Sequence, residues 1–460
     1  MKAWEIARDI VANAKAKLVI ESDDDWCMQD AQKHDVDKLK TIWKSIAPGS
    51  QAPASLIAGA VGSVENLGKD VSKAEVLLPK GFKALEKNDM QSLFKITSEI
   101  FYLLNNAPKC KNADYWKYTI YDNWDDFESK CEFPKYKDVD INNNEVEKKI
   151  LNGWLGQICG GAFGTALEGY DSKTIKEYFG EVRGYLKKPS TYNDDITYEL
   201  VLLKTILEKE SDVTAFDIAN NWTAMIPFGW SAEDIAMKNL MLGVYPPESG
   251  YINNPYREWI GAQMRGCVCG MVCPGNPYKA AKLAWLDGQI SHHNNGIIGE
   301  VFNAVMTAIT FVENDIKEIV KIAINMLPKD SQYYSVVNYA LKQCQNNDEW
   351  EDVLRLCEKE FETYNLVHAF PNAAIEVVAL WFGNGDFDKT MHIAGMAGLD
   401  VDCNTAQIGN IVAILSDKLN EEWTKPIGNV LNTYVRGISQ ITLDELVKMT
   451  IQASEKLKDF

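Results

Sequence analysis

Two short stretches carry the residue types that could do chemistry: NDD at 193–195 and GLDVDCNT at 398–405. Each sets two carboxylates almost side by side, Asp194 with Asp195 and Asp400 with Asp402. Such pairs are costly in an apolar setting unless something positive lies between them. Carboxylates with amide and hydroxyl-type neighbours suit hard cations such as Mg²⁺, Mn²⁺ or Ca²⁺ rather than zinc. Adjacent aspartates at a helix start diverge by about a quarter turn, so each can face a different ion. The plainer account of both stretches is an acidic helix start that complements the dipole, with Asp402 or Asn404 as cap of the second.

The elements that must position these residues are helices. DITYELVLLKTILEKE follows the first stretch, and NTAQIGNIVAILSDKLNEEW runs on from the second. Both repeat apolar residues at i, i+3, i+4 and i+7, as do EVEKKILNGWLGQI and GIIGEVFNAVMTAITFVEN. Period-2 runs bounded by turn residues are scarce, which predicts an all-α fold. The polar, Asn-rich stretch KCEFPKYKDVDINNNEVEKK suggests a boundary between a helical N-terminal region at 1–140 and a domain at 145–460. The N-terminal helices show packing faces alone, so that region reads as an extension packed on the domain; a docking module or a cap over a cleft are the alternatives.

Gly153, Gly156, Gly160, Gly161 and Gly164 recur at helical spacing in GWLGQICGGAFGTALEG, which closes on Glu168. Glycine costs roughly 1 kcal/mol per helix position, so several on one face imply that a backbone or a ligand comes very close. Tight helix–helix packing is the simpler reading. No G-K-[ST] follows and no strand precedes, so neither a P-loop nor a Rossmann turn is present.

The formal net charge of -18 and pI near 4.9 argue against non-specific binding to nucleic acid or anionic membrane. No targeting or membrane-spanning segment is evident, and ten cysteines without a secretion signal fit reduced thiols in a cytoplasm. Cys267, Cys269 and Cys273 lack C-x-x-C spacing and read as helix-packing residues. His292 and His293 read as a polar helix start, and His34, His368 and His392 as structural.

In order along the chain, these segments resemble the ADP-ribosylglycohydrolase family, all-α hydrolases with a dinuclear metal site. The family's opening glycine pattern is similar to Gly153, Gly156, Gly160, Gly161, Gly164 and Glu168, with Gly161 where the family has Asp. Its T-D-D-T step is similar to Asn193-Asp194-Asp195-Ile196, in which both threonines are replaced. Its N-G-x-x-M-R element resembles Gly261, Met264 and Arg265, and its S/T-H step resembles Ser291-His292. Its closing G-G-D-T-D-T/S-N signature resembles Gly398, Asp400, Asp402 and Asn404, with Cys403 replacing a hydroxyl. The resemblance covers about residues 150 to 415 and leaves 1–140 without a counterpart.

The resemblance implies an ADP-ribosylglycohydrolase-like orthogonal helical bundle with an additional helical N-terminal region. It implies a metal-dependent hydrolase that cleaves the glycosidic bond at the distal ribose of an ADP-ribosyl group. Two Mg²⁺ ions, or Mn²⁺, would be held by Asn193, Asp194, Asp195, Asp400, Asp402 and Cys403. Asp194, Asp195, Asp402 and Glu168 would be catalytic. Gly164, Ser249, Gly250, Arg265, Ser291 and His292 would contact ADP-ribose or an ADP-ribosylated protein, nucleic acid entering only as a modified substrate. One alternative is a catalytically inactive ADP-ribose-binding or structural relative. Another is a class I terpene synthase, whose D-D-x-x-D/E motif is loosely matched by DDITYE.

Overall fold

The computed structural model describes residues 2–13, 29–44, 46, 48–52 and 56–460. These form two compact units, Met1–Thr41 and Ile42–Phe460. The first holds the helix Ala3–Ala12 and most of the helix Gln29–Trp43. The second is helical almost throughout; its sheet, among the described residues, is one antiparallel pair, Val430–Asn432 with Gln440–Thr442.

Three helices run through the centre of the large unit. Every residue of Asn295–Ile309 is buried, and Ala369–Gly383 and Val401–Leu415 are buried along nearly their whole length. A helix apolar on all sides must be covered on all sides, and the surrounding amphipathic helices do this. Local signals set the helix starts. Asn143, Asn193 and Asp386 each accept a backbone N–H in the first turn, and Thr214 forms a reciprocal capping box with Asp217.

The closest pair is Asn144–Gly164 against Val401–Leu415. A Cβ added at Gly156 would overlap Gly409 O, one at Gly160 would overlap Thr405 O, and one at Gly164 would overlap the backbone of Asp402. The glycine stripe is therefore a helix–helix seam, as its spacing alone suggests. The Thr405 hydroxyl donates across it to Gly160 O at 2.7 Å.

Residues 56–140 are tied to the bundle by buried polar contacts. Trp259 Nε1 donates to Ser63 Oγ at 2.6 Å, and Tyr256 Oη donates to Leu56 O at 2.9 Å. Tyr115 Oη donates to Glu258 Oε1 at 3.0 Å, and Tyr121 N donates to Asn294 Oδ1 at 3.0 Å. The compact unit thus runs across the polar stretch near residue 140. No described helix is long and apolar enough to cross a membrane.

The seam makes a stability prediction. Gly160→Val places methyl groups against the Thr405 backbone and should cost about 1–3 kcal/mol in urea unfolding. Gly62, in the helix Leu56–Asn66, has open space where a Cβ would go, so Gly62→Ala should raise stability by up to about 1 kcal/mol. Equal unfolding midpoints for the two variants would contradict this packing.

Candidate active site

The loop after the glycine-rich helix and the loop before Val401–Leu415 are clasped together. Gly169 N donates to Leu399 O at 2.9 Å, and Leu399 N returns the bond to Tyr170 O at 2.8 Å. The clasp needs positive φ at Gly398 (76°) and Leu399 (68°), and a Cβ at Gly398 would overlap Tyr170 O. Glu168 and Asp400 flank this clasp. The cap of Val401–Leu415 is Asp400, in place of Asp402 or Asn404, and its side chain makes no capping bond. Asp402 Oδ1 accepts from Cys403 N at 3.1 Å. Across from them, Asp194 and Asp195 open the helix Asp194–Lys209 behind Asn193, whose Oδ1 accepts from Ile196 N at 3.4 Å.

The two aspartate pairs do meet. Asp402 feels the negative charges of Glu168, Asp400, Asp194 and Asp195, on top of a larger effect of burial, and its pKa is raised well above the usual carboxylate range. Burial, then Asp400, pushes Glu168 up to about 8. Burial, then Asp400, lifts Asp194 to about 6. Asp195 is raised well above its ordinary value by burial and then by Asp194, and Asp400 is raised by burial. Neither oxygen of Asp195 has a hydrogen-bond partner, and neither do Asp400 Oδ1 and Glu168 Oε2.

Among the described residues, none of these five carboxylates forms an ion pair with Lys or Arg. The buried arginine of this region, Arg265, is taken up by Glu233, Asp287 and Glu300. Clustered hard oxygens without a cation fit one or more divalent ions of the Mg²⁺ or Mn²⁺ kind. Asp400, Asp402 and Cys403 have potential ligand atoms all within 4.8 Å of one another. Burial, then Asp400, raises the Cys403 thiol well above its ordinary value, so it stays protonated and soft, a poor partner for such an ion. Gly161 and Asn193 adjoin: a Cβ at Gly161 would come 2.8 Å from Asn193 Nδ2.

A cavity of about 380 Å³ opens over this cluster. Glu168, Asn193, Asp194, Asp400, Asp402 and Cys403 line it, and so do the apolar Leu56, Trp259, Ile260, Met264 and Val367. Tyr192, Phe228, Trp230 and Tyr434 line it too and are exposed. Tyr434 is 4.9 Å from Tyr192 and 5.2 Å from Phe228, ring centre to ring centre.

The structure places the other predicted contacts elsewhere. Gly164 is spent in the helix seam under Asp402. Ser249, Gly250, Arg265, Ser291 and His292 are buried and do not line the cavity. Ser249 Oγ donates to Ile290 O at 2.7 Å, and Gly250 abuts the His292 backbone. Arg265 binds Asp287 through Nε, Glu233 at 3.2 Å, Gly261 O at 2.6 Å and Ser291 Oγ at 3.1 Å. Ser291 Oγ is 2.8 Å from His292 Nδ1, and burial and then Arg265 hold His292 neutral. His292 is thus neither polar surface nor a cavity residue. Its neighbour His293 pairs with Asp122 at 2.9 Å. Glu199, the acidic residue that ends DDITYE, stands one position beyond the place a D-D-x-x-D/E motif needs; it accepts from Gln157 Nε2 at 2.6 Å and does not line this cavity, which speaks against the terpene-synthase reading.

One acidic cavity residue escaped the sequence. Glu233 lines the cavity from the helix Ser231–Met241, held by Arg265 from behind, where a Cβ on Gly261 would displace it. Burial raises it to about 7 against the opposing pull of Arg265. No motif surrounds it; an acidic residue in a first helical turn was its one local mark.

An all-α bundle with an acidic cavity between helix starts is the class that fold and site define. The family model for ADP-ribosylglycohydrolase matches residues 142–456, and the chain belongs to that family of hydrolases of ADP-ribosyl linkages. A protein of Archaeoglobus fulgidus, described as uncharacterized, is 26% identical over 295 residues, which is 60% of this chain and 91% of that one. A solved structure described as an ADP-ribosylglycohydrolase-related protein complex superimposes with a TM-score of 0.48 at 16% identity, covering 68% of this chain and all of that one.

The raised carboxylates make a pH prediction for the chain stripped of divalent ions. Glu168 near 8, Glu233 near 7 and Asp194 near 6 exceed unfolded values of about 4. The folded state therefore binds more protons than the unfolded one up to about pH 8, so stability falls as pH rises. The buried neutral histidines act with the opposite sign, but only below about pH 6.5. In EDTA, the melting temperature should fall between about pH 7 and pH 8.5, and Glu168→Gln should flatten the slope. A melting temperature that rises over this window would contradict the assignment.

Proposed function

We propose that the chain is a divalent-metal-dependent hydrolase that releases ADP-ribose by cleaving the glycosidic bond at its distal ribose. The observation that carries this is the set of partnerless carboxylate oxygens on Asp195, Asp400 and Glu168, clustered with Asp194 and Asp402 beside a cavity. Asp194, Asp195, Asp400 and Asp402 would hold two ions. Mg²⁺ or Mn²⁺ bound there supplies charge neutralisation, an anchor for sugar hydroxyls and acidification of a neighbouring water.

The chain's own residues account for the rest. The ribose end belongs at the acidic cluster, where carboxylates stabilise the positive charge that develops at the anomeric carbon. Glu168, with its pKa near 8, can hold or accept a proton at neutral pH, and Glu233 is poised similarly. The aromatic rim gives a flat, partly exposed surface for a base. Nothing on the cavity wall selects arginine-, serine- or nucleic-acid-linked acceptors.

A second reading keeps ADP-ribose binding but not turnover. It is favoured by Cys403, whose neutral thiol stands beside Asp400 and Asp402 in place of the family's hydroxyl. Turnover separates the two. Arginine- and serine-linked ADP-ribose should be hydrolysed with Mg²⁺ and not with EDTA, and Asp195→Asn or Asp402→Asn should reduce kcat by about 100-fold or more. ADP-ribose binding without turnover would establish the binder. Metal-independent turnover would contradict the hydrolase reading.

A further inference from the structure

The N-terminal extension reaches into the site. Ser50, Gln51, Ala52 and Leu56 line the same cavity as Glu168 and Asp400, yet they lie some 90 residues ahead of the family-matched segment, which starts at residue 142. The segment is held at both ends. Gly49 N donates to Glu168 O at 2.8 Å, and Lys187 Nζ donates to Gly49 O at 3.4 Å. Gly49 has φ +61°, and a Cβ there would lie 2.7 Å from Ala166 O, so the chain touches the backbone of the 165–168 turn. Downstream, the helix Leu56–Asn66 is fixed on Trp259, a wall residue, through Ser63 Oγ and through Gly59, where a Cβ would lie 2.9 Å from the indole.

Within this strap one side chain does something specific. Ser50 lines the cavity together with Glu168, and its hydroxyl draws the Glu168 pKa down against burial and Asp400; Glu168 Oε2 has no hydrogen-bond partner. Gly49 thus donates to the Glu168 carbonyl, and the next residue, Ser50, brings a hydroxyl to the cavity that the Glu168 carboxyl lines. The acidic neighbours of Glu168, Asp400 first and then Asp194, disfavour its ionised form. A hydroxyl on a segment anchored in this way can orient the carboxyl it faces.

We infer that residues 48–52 complete the active-site wall and that Ser50 is a positioning residue which holds the Glu168 carboxyl toward the bound sugar. This rests on the functional reading above. It makes the extension part of the enzyme rather than an ornament on it, and it makes the site depend on chain the family domain does not contain.

The test uses the full chain. Hydrogen exchange of the 48–52 amides, measured without ligand, reports whether the strap is docked; steady-state kinetics on arginine-linked ADP-ribose, with calorimetric binding of ADP-ribose alongside, report what it does. The 48–52 amides should be protected in wild type and lose protection in Gly49→Val. Ser50→Ala should lower kcat roughly tenfold or more with KM nearly unchanged, and Ser50→Thr, which keeps the hydroxyl, should recover most of it. Wild-type turnover that Ser50→Ala leaves unchanged overturns the inference alone, as does exchange at 48–52 as fast as in an unstructured peptide. A wild-type chain with a protected strap that neither hydrolyses the substrate nor binds ADP-ribose overturns the functional reading, and the role of Ser50 with it.

Discussion

The backbones of the glycine-rich helix and the helix Val401–Leu415 are in contact, and most of the site follows from that contact. Gly156, Gly160, Gly164 and Gly409 let the two backbones touch with only small side chains between them. Van der Waals contact then extends along two helices whose near ends carry the chemistry. Asp400 and Asp402 begin one helix, and Glu168 follows the end of the other. A larger residue at Gly164 would push Asp402 away from its neighbours. The reciprocal Gly169–Leu399 and Leu399–Tyr170 hydrogen bonds then lock the two loops in register. The glycines contribute nothing to a ligand directly; they set how close the carboxylates come.

Two buried acidic networks differ in one respect: the first is built round an arginine and the second is not. Arg265 meets Asp287, Glu233 and Glu300 and stacks against Tyr198 and Trp222, so these acids share one counter-charge inside the protein. The cluster of Glu168, Asp194, Asp195, Asp400 and Asp402 has no such partner among the described residues. Burying like charges without compensation is costly, and the pKa values of these groups rise accordingly. The fold holds them converged all the same, with Glu168, Asp194, Asp400 and Asp402 lining a cavity and Asp195 beside them. Glu233 belongs to both networks, since Arg265 grips it from behind while it faces the cavity.

What could be read from the sequence was whatever a short spacing encodes. Asp194-Asp195 and Asp400-x-Asp402 are local patterns, and so is the glycine stripe; each kept its place in the structure. Arg265, Ser291 and His292 are also short patterns, but a polar triplet inside a helical protein serves a buried hydrogen-bond network as readily as a ligand, and here it serves the network. Glu233 and Ser50 had no pattern to announce them. They join the site through tertiary contacts that span, for Ser50 and Glu168, more than a hundred residues of chain. The cap of Val401–Leu415 fell to Asp400 because the positive-φ step at Gly398 and Leu399 brings the chain into the helix earlier than the Asp-Cys-Asn run suggests.

The central claim is that the carboxylate cluster is a cation site. Titration of Mn²⁺ into the metal-free chain, followed by electron paramagnetic resonance and calorimetry, tests it without any assumption about substrate. The account predicts saturable binding of two ions per chain in the wild type, lost or reduced in Asp400→Ala and Asp195→Asn and displaced by Mg²⁺. No saturable binding, or binding indifferent to both substitutions, would contradict it.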